Sequence, residues 1–348
     1  MRSRCCTFFI VLVALSATAV VRADPTDEFI RAQMKAQNIP GLSLAVLQDG
    51  KIVKAAGYGL ADRERKTPVT PETVFRIASV SKQFIAAGLM LLVQEGRLGA
   101  DDSINKYLAD APAAWKGITL RHLLSHTSGL VREAPGFSPT KIQIDADVIR
   151  SAYSQPLRFA PGEKYEYGNL SYFIAAELIH RVSGRPWTEF LHEKLFKPLA
   201  MHRTYPTNTT QPVPDRARGY SDNEKLQPVD EWPALRASGA FLSTVLDLAK
   251  WDAALYTDQI LNAATREQMW TPARLNGGGS HGYGLGWQLE SHHGRRLVHH
   301  GGGMPGFGAE FARYVDDRLT IIMLINLDDA DEDSIARGVA RLYLPAQR

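Results

Sequence analysis

The chain has 348 residues, of which 45% are hydrophobic and 22% are charged, a size and composition typical of one large globular domain with insertions. No low-complexity tract or block of like charge interrupts it, so the composition excludes a mainly disordered protein. The formal net charge of +3 comes with no basic patch, which argues against nucleic acid as a partner.

Residues 1–23 have the pattern of a cleavable signal peptide. Arg2 and Arg4 precede an apolar run over residues 8–21, and small residues then offer cleavage before Asp24 or one step earlier. A membrane anchor is the alternative, but the run is short for a full span and contains serine and threonine. We therefore predict a periplasmic or secreted protein with no stable membrane span after cleavage.

Loss of this segment changes two properties of the mature chain. The two cysteines, Cys5 and Cys6, leave with it, so the mature chain has neither a disulfide nor a thiol nucleophile. Three arginines leave as well, which lowers the formal charge from +3 to zero. The mild basicity of the full sequence is thus largely a property of the signal.

The first part of the mature chain has the patterns of one helix, two strands and a long buried helix, at residues 27–37, 41–47, 51–57 and 79–93. Asp49 and Gly50 separate the two strands and form a strong hairpin signal. The buried helix is rich in alanine, leucine and methionine, and Gly96 is placed to end it.

The middle of the chain has mainly helical patterns, at residues 120–126, 145–154, 172–182, 187–196 and 244–256. Ser-Gly pairs follow the first and third of these helices and indicate their ends. Residues 205–233 are polar and rich in proline, which predicts irregular structure. Together with residues 131–144, this segment is expected to set specificity as a groove loop.

The last part has alternating patterns that predict strands at residues 284–290, 296–299, 309–314 and 319–326, followed by a closing helix at residues 331–344. Strands therefore stand at both ends of the chain and helices fill the middle. We predict an α/β (α+β) fold in one domain, residues 24–348. Its antiparallel sheet forms from both chain ends, helices flank it, and a mainly helical region at about residues 95–280 is inserted. The active site of such a fold lies in the groove between the sheet and the helical region.

Ser79 and Lys82 stand three positions apart at the start of the apolar helix, so both side chains face the same way. A serine nucleophile needs an adjacent base and donors for the oxyanion, and burial would favour a neutral lysine. Ser103 and Lys106 have the same spacing, but they follow two aspartates in a polar turn, where a capping or turn role suffices. Alone, Ser79 could equally be a helix cap and Lys82 a solvated side chain.

Two later segments supply possible partners. Tyr167 and Asn169 precede a helix and face the same side of an extended segment, where a phenol can relay a proton and an amide can hold lysine and substrate. His299 and His300 begin a glycine-rich run that lets a ligand approach the backbone. Taken singly, these residues fit a packed tyrosine, a helix cap and a glycine turn. Adjacent strand residues point to opposite faces and chelate one ion poorly, so we predict no metal and no cofactor.

Together these segments resemble the serine β-lactamase and penicillin-binding-protein superfamily, on the branch of class C β-lactamases, D-alanyl-D-alanine carboxypeptidases and β-lactamase-like esterases. The likeness spans most of the mature chain and is carried by residues 75–82, 123–130, 167–169, 238–249 and 300–302. The resemblance implies that Ser79 is acylated and that Lys82 and Tyr167 share the proton transfers, in an order left open. It assigns substrate-binding or oxyanion roles to Asn169, His300, Gly302 and Gly303.

One departure from the family pattern bears on the substrate. The third motif is often Lys-Thr-Gly, whose cation meets the substrate carboxylate, whereas this chain has His300 there. Imidazole is only partly protonated near neutrality, so anchoring of a penicillin-like carboxylate is weakened. We therefore expect an esterase-like hydrolase of small molecules, with D-alanyl-D-alanine carboxypeptidase or class C β-lactamase activity as the alternative.

Other classes of protein fit the sequence less well. A catalytically inactive binding module on the same scaffold would be expected to lose at least one reactive group. An α/β-hydrolase would need a Gly-x-Ser-x-Gly elbow on a turn from a strand into a helix; residues 278–282 match the letters of that motif but precede a predicted strand, not a helix. His122 and His126 are spaced like the ligands of a zinc hydrolase but have no glutamate between them.

Overall fold

The computed structural model describes residues 24–222, 225–230, 232 and 237–345, and the predicted signal peptide lies outside them. The helices are α1 (Pro25–Ala36), α2 (Lys82–Gln94), α3 (Leu120–Leu124), α4 (Asp145–Arg150), α5 (Leu170–Ser183), α6 (Trp187–Leu191), α7 (Val245–Ala254), α8 (Ala263–Met269) and α9 (Glu332–Tyr343). The strands are β1 (Gly41–Gln48), β2 (Lys51–Asp62), β3 (Thr67–Pro68), β4 (Phe75–Arg76), β5 (Tyr205–Pro206), β6 (Tyr220–Ser221), β7 (Gln227–Pro228), β8 (Phe241–Ser243), β9 (Gln288–His292), β10 (Arg295–Met304), β11 (Phe307–Tyr314) and β12 (Leu319–Ile325).

The two ends of the described chain build one antiparallel sheet. Its strands lie in the order β3-β2-β1-β12-β11-β10-β9. The central pair joins β1 to β12, with Leu42 opposite Ile325 at one end and Gln48 opposite Leu319 at the other. The predicted α/β (α+β) fold, with a sheet formed from both chain ends, is therefore confirmed.

Turn chemistry explains the first hairpin. Asp49 and Gly50 have φ angles of +54° and +72°. Positive φ at both central residues is the signature of a tight two-residue hairpin turn, which asparagine, aspartate and glycine adopt most readily. The sequence signal at these two residues is thus realised as predicted.

Strand β12 is buried along its whole length because helices cover the sheet on both faces. Ile322 and Leu324 belong to the core that includes α2, whereas Ile321 and Met323 belong to the core formed with α1 and α9. Successive side chains of a strand point to opposite faces, so an almost uninterrupted apolar run fills both cores. The closing helix α9 contacts β11 and β12.

Helices α2–α8 and short strands lie in sequence between the two strand-rich ends. Helix α2 contacts α5, α6 and α8. A Cβ on Gly88 of α2 would lie 2.4 Å from a methyl group of Leu191, so this glycine allows α2 and α6 to approach closely. No helix in the described part of the chain is long and apolar enough to cross a membrane.

Several boundaries differ from the prediction. Strand β10 continues through the glycine run to Met304, whereas the predicted strand ends at residue 299. The backbone of residues 301–303 pairs with β11, and this ladder keeps the glycines extended despite their low strand propensity. Strand β9 starts at Gln288, later than predicted, because Gly286 takes a φ of +81° in the preceding turn.

Candidate active site

Ser79 lies on a tight turn at the entrance to α2. A short 3-10 helix, Ala78–Ser81, precedes α2, and Ala78 has a φ of +43°, which is uncommon for a residue with a Cβ. Strand β10 runs close to this turn, since a Cβ on Gly302 would lie 2.4 Å from the Ile77 carbonyl oxygen and 3.1 Å from the Ser79 amide nitrogen. A side chain at residue 302 would therefore push the strand away from the turn.

Lys82 is completely buried, and its amine is the centre of the site. Its Nζ donates hydrogen bonds to Ser79 Oγ at 3.0 Å, to Asn169 Oδ1 at 3.1 Å and to the Ser238 carbonyl oxygen at 2.9 Å. The ring centroid of Tyr167 lies 4.8 Å from the same nitrogen. The structure thus brings together Ser79, Lys82, Tyr167 and Asn169, four of the residues singled out in the sequence.

Tyr167 and Asn169 reach Lys82 from the opposite side of the cleft. Asn169 precedes α5, and while its Oδ1 accepts from Lys82, its Nδ2 donates to the carboxylate of Glu133. Tyr167 is half-buried, and its ring centroid lies 6.3 Å from that of His300. The expected common face of residues 167 and 169 is present.

His300 lies at the same site, but both of its ring nitrogens are engaged. Nδ1 donates to the Gly301 carbonyl oxygen at 2.6 Å, and Nε2 accepts from the Tyr283 hydroxyl at 2.7 Å. Tyr283 keeps its proton because burial raises the pKa of its phenol well above the usual value. Burial, reinforced by the charge of Lys82, lowers the pKa of His300 to about 3. The imidazole is therefore neutral near neutral pH.

His299 faces the other side of the sheet, as alternation along a strand requires. Its Nδ1 lies 3.0 Å from Glu310 Oε1. Burial alone would lower the pKa of His299, but this hydrogen bond and the charge of Glu310 outweigh burial and raise it. Asp333 is close enough for the three side chains to offer ligand atoms within 4.8 Å of one another. Asp333 also accepts from Arg337 Nε at 2.7 Å, so ion pairs account for this cluster in the described chain.

The second tetrad has a different environment. Ser103 Oγ donates to the Lys116 carbonyl oxygen at 2.7 Å, and Lys106 forms a surface ion pair with Asp102 at 2.8 Å. The side chain of Lys106 is 61% exposed. The prediction that this tetrad serves a turn is confirmed by its contacts.

Three residues of the site had no assigned role in the sequence. The Ser238 carbonyl holds Lys82, although only the surrounding landmark segment was recognisable. The Tyr283 hydroxyl bonds His300, and no local sequence pattern predicts a role for Tyr283. Glu133 lies in one of the predicted specificity loops, and its contact with Asn169 depends on long-range packing.

An open cleft lies in front of Ser79, lined by Arg76, Phe137, Asn169, Trp232, Gly239, Gly303 and Met304. A Cβ on Gly303 would meet no described atom within 4 Å, so the strand backbone at this residue faces open space. The site combines a hydroxyl, a buried amine, a phenol and backbone amides of a turn and a strand. This set of groups suits acyl transfer through a serine ester.

Comparison with known proteins gives a consistent family. The beta-lactamase family pattern matches residues 26–344. Penicillin-binding protein 4* of Bacillus subtilis is 31% identical over 307 residues, or 82% of this chain and 68% of that protein. D-aminopeptidase of Brucella anthropi is 30% identical over 342 residues, or 90% of this chain and 62% of that protein. The chain therefore spans only about two thirds of the length of these relatives.

Among solved structures, D-amino acid amidase from Ochrobactrum anthropi SV3 in complex with D-phenylalanine has a similar fold. The TM-score is 0.80 at 26% identity, and the match covers 92% of this chain and 100% of the amidase chain. Fold and sequence thus agree on the same group of proteins.

Proposed function

This chain belongs to the beta-lactamase family and is a serine hydrolase, and from that premise we propose that it acts through an acyl intermediate on Ser79, with esters of small molecules as its first substrate class. Substrate enters the cleft lined by Ser79, Asn169 and Gly303. The proposal needs no metal or cofactor, since the serine supplies the nucleophile.

One observation supports the acyl-serine mechanism above others: the buried Nζ of Lys82 lies 3.0 Å from Ser79 Oγ. To act as the base, Lys82 must first lose one proton of its ammonium form; its amine then accepts the hydrogen bond from Ser79 Oγ instead of donating it, and can take the hydroxyl proton as Oγ attacks the substrate carbonyl. The Tyr167 phenol beside the amine can relay this proton to the leaving group. Asn169 Oδ1 accepts a hydrogen bond from the same amine and fixes its position.

Hydrolysis takes place in two steps, acylation and deacylation of Ser79. In acylation, the bond from Ser79 Oγ to the acyl carbon forms, the bond from that carbon to the leaving oxygen breaks, and the hydroxyl proton reaches the leaving group through Lys82 and Tyr167. The amides of Ser79 and Gly303 hold the oxyanion. In deacylation, water adds its hydroxyl to the acyl carbon and its proton returns to Ser79 Oγ, which releases the carboxylic acid.

The preference for esters rests on His300. A neutral imidazole with both nitrogens engaged supplies no cation for a substrate carboxylate at this position. A simple ester has no such carboxylate. Its leaving alcohol also needs less protonation from Lys82 and Tyr167 than a leaving amine does. We assign to His300 the role of holding β10, and with it Gly302 and Gly303, beside the nucleophile turn. The other candidates, a class C β-lactamase or a D-alanyl-D-alanine carboxypeptidase, act on substrates with a carboxylate and so depend more than an esterase on a cation at the position of His300.

A second substrate class, amides of D-amino acids with a free α-ammonium group, is favoured by Glu133. Its carboxylate binds Asn169 beside the cleft, where it can attract a cation. Two of the similar proteins are a D-aminopeptidase and a D-amino acid amidase. If this class is correct, Glu133→Gln raises KM for D-phenylalanine amide by about tenfold and leaves the hydrolysis of p-nitrophenyl butyrate unchanged.

Turnover of p-nitrophenyl butyrate and nitrocefin tests the main proposal. We expect measurable ester hydrolysis that falls by roughly 10⁴-fold or more in Ser79→Ala, by the scale of nucleophile removal in other serine hydrolases. Ser103→Ala is the matched control and should stay near wild-type activity. Efficient nitrocefin turnover without esterase activity would reverse the substrate preference.

We further propose that residues 1–23 direct export to the periplasm or the medium and that residues 24–348 form one hydrolase domain with the helical region of residues 95–280 inserted. N-terminal sequencing of protein recovered from the periplasm or medium should begin near Asp24. Recovery in the cytoplasm with an intact N-terminus would contradict export.

A further inference from the structure

His126 holds a strained backbone conformation in the wall of the site. It follows α3 with a φ of +59°, a left-handed value that few residues with a Cβ adopt. The Thr127 amide donates to the His122 carbonyl oxygen at 3.0 Å, so the turn that ends α3 fixes this conformation. Strain of this kind persists where surrounding structure imposes it, often at functional sites.

The same residue binds the chain on both sides of Tyr167. The His126 carbonyl oxygen accepts from the Glu166 amide at 2.9 Å, and its ring Nδ1 accepts from the Gly168 amide at 3.3 Å. The imidazole also packs on the phenol ring, with centroids 4.2 Å apart and planes 40° from parallel. One residue thus holds the ring of Tyr167 and the backbone of its two neighbours in sequence.

The bond from Gly168 specifies the state of the imidazole. Nδ1 accepts a hydrogen bond only without a proton, so the ring proton is on Nε2. Burial, with the charge of Lys82 next, lowers the pKa of His126 well below its usual value and keeps the ring neutral. Nε2 is buried and has no hydrogen-bond partner among the described residues. An aliphatic side chain would fill this space without burying that N–H, so packing alone does not account for histidine here.

Tyr167 lies next to both His126 and the amine of Lys82. Its ring centroid is 4.8 Å from Lys82 Nζ, which in turn bonds Ser79 Oγ. We infer that His126 is a positioning residue that holds the Tyr167 phenol against Lys82 for the acylation step. This inference rests on the proposed function, in which Tyr167 relays a proton.

Asparagine and glutamine form a matched pair for testing His126. The Oδ1 atom of asparagine can occupy the place of Nδ1 and accept from Gly168, whereas the amide of glutamine lies one carbon further along. Asparagine also tolerates left-handed φ. His126→Asn should keep kcat for p-nitrophenyl butyrate within about tenfold, and His126→Gln should lose roughly 10²-fold, the cost of a misplacement near 1 Å. KM should change by less than about threefold in both, since substrate contacts are untouched.

Equal losses of kcat in the two variants, or losses that only follow the folded fraction in thermal unfolding, would overturn the inference. If His126→Gln does not fold, His126→Gly replaces it, because glycine accepts the φ angle and lacks the acceptor. The same 10²-fold loss is expected for that variant.

The ¹³Cζ NMR resonance of Tyr167 gives a readout without turnover. In His126→Asn it should move only by the loss of the ring current of the packed imidazole, and in the glutamine or glycine variant it should move further. Equal displacement in all the variants would overturn the positioning role even in an active enzyme. Failure of wild-type Ser79 to form an acyl intermediate would instead remove the proposed function and leave this resonance readable.

Discussion

Ser79 and Lys82 share their spacing with Ser103 and Lys106, yet the two tetrads differ in nearly every physical property. Lys82 is wholly buried and makes three hydrogen bonds, including one to the serine three residues earlier. Lys106 is 61% exposed and pairs with an aspartate in solvent. The pattern of residue types is therefore a weak signal, and burial beside convergent polar groups creates the chemical difference.

Removing each lysine in turn separates the two tetrads most strongly. Lys82→Ala should lower kcat for p-nitrophenyl butyrate by on the order of 10²–10⁴, the usual contribution of a general base. Lys106→Ala should leave kcat near wild type, because exposed ion pairs contribute little. Steady-state kinetics on both variants decides the matter, and a near-normal rate for Lys82→Ala would remove it from the role of base.

Close packing around the first tetrad gives the next largest effect. Gly302→Ala places a Cβ 2.4 Å from the Ile77 carbonyl oxygen, so β10 must move away from the Ser79 amide. We expect a loss of roughly 10² in kcat from this displacement. Gly303→Ala, whose Cβ meets open space, should lose less than about tenfold. Similar losses of kcat in the two variants would show that the close approach of β10 to the Ser79 turn is not required for catalysis.

The smallest effect concerns stability rather than rate. The pKa of His300 is lowered to about 3 in the folded protein, against an ordinary value of 6.5. The folded state therefore disfavours the protonated ring. The free energy of unfolding is highest above pH 6.5, where His300 is neutral in both states, and it falls as the pH drops from 6.5 toward 3 because only the unfolded chain takes up the proton. The slope approaches about 1.4 kcal/mol per pH unit for one proton. Urea unfolding from pH 7 to pH 4 should show this slope in wild type and a smaller slope in His300→Gln; equal slopes would contradict the neutral, buried imidazole.

Much of the fold could be predicted because its signals are local. The Asp49-Gly50 turn, the apolar run of β12 and the amphipathic closing helix each depend on neighbouring residues alone. The glycine run of β10 misled the prediction, since a ladder with β11 keeps residues 301–303 extended against their propensity. Such pairing is a long-range property that a local pattern does not contain.

The candidate site shows the same division. Residues 79, 82, 167 and 169 could be identified because each sits in a short motif with a chemical rationale. Tyr283 and Glu133 carry no motif, and their contacts with His300 and Asn169 arise only when distant segments pack. The charge state of His300 likewise depends on its burial and on Lys82, and the motif of residues 300–302 reveals neither.

Peptide mapping of a fluorophosphonate adduct identifies the nucleophile. We expect a single modified serine, Ser79, with labelling lost in Ser79→Ala and retained in Ser103→Ala. Adduct formation at another serine, or labelling that survives Ser79→Ala, would contradict the assignment of the buried tetrad as the nucleophile and base.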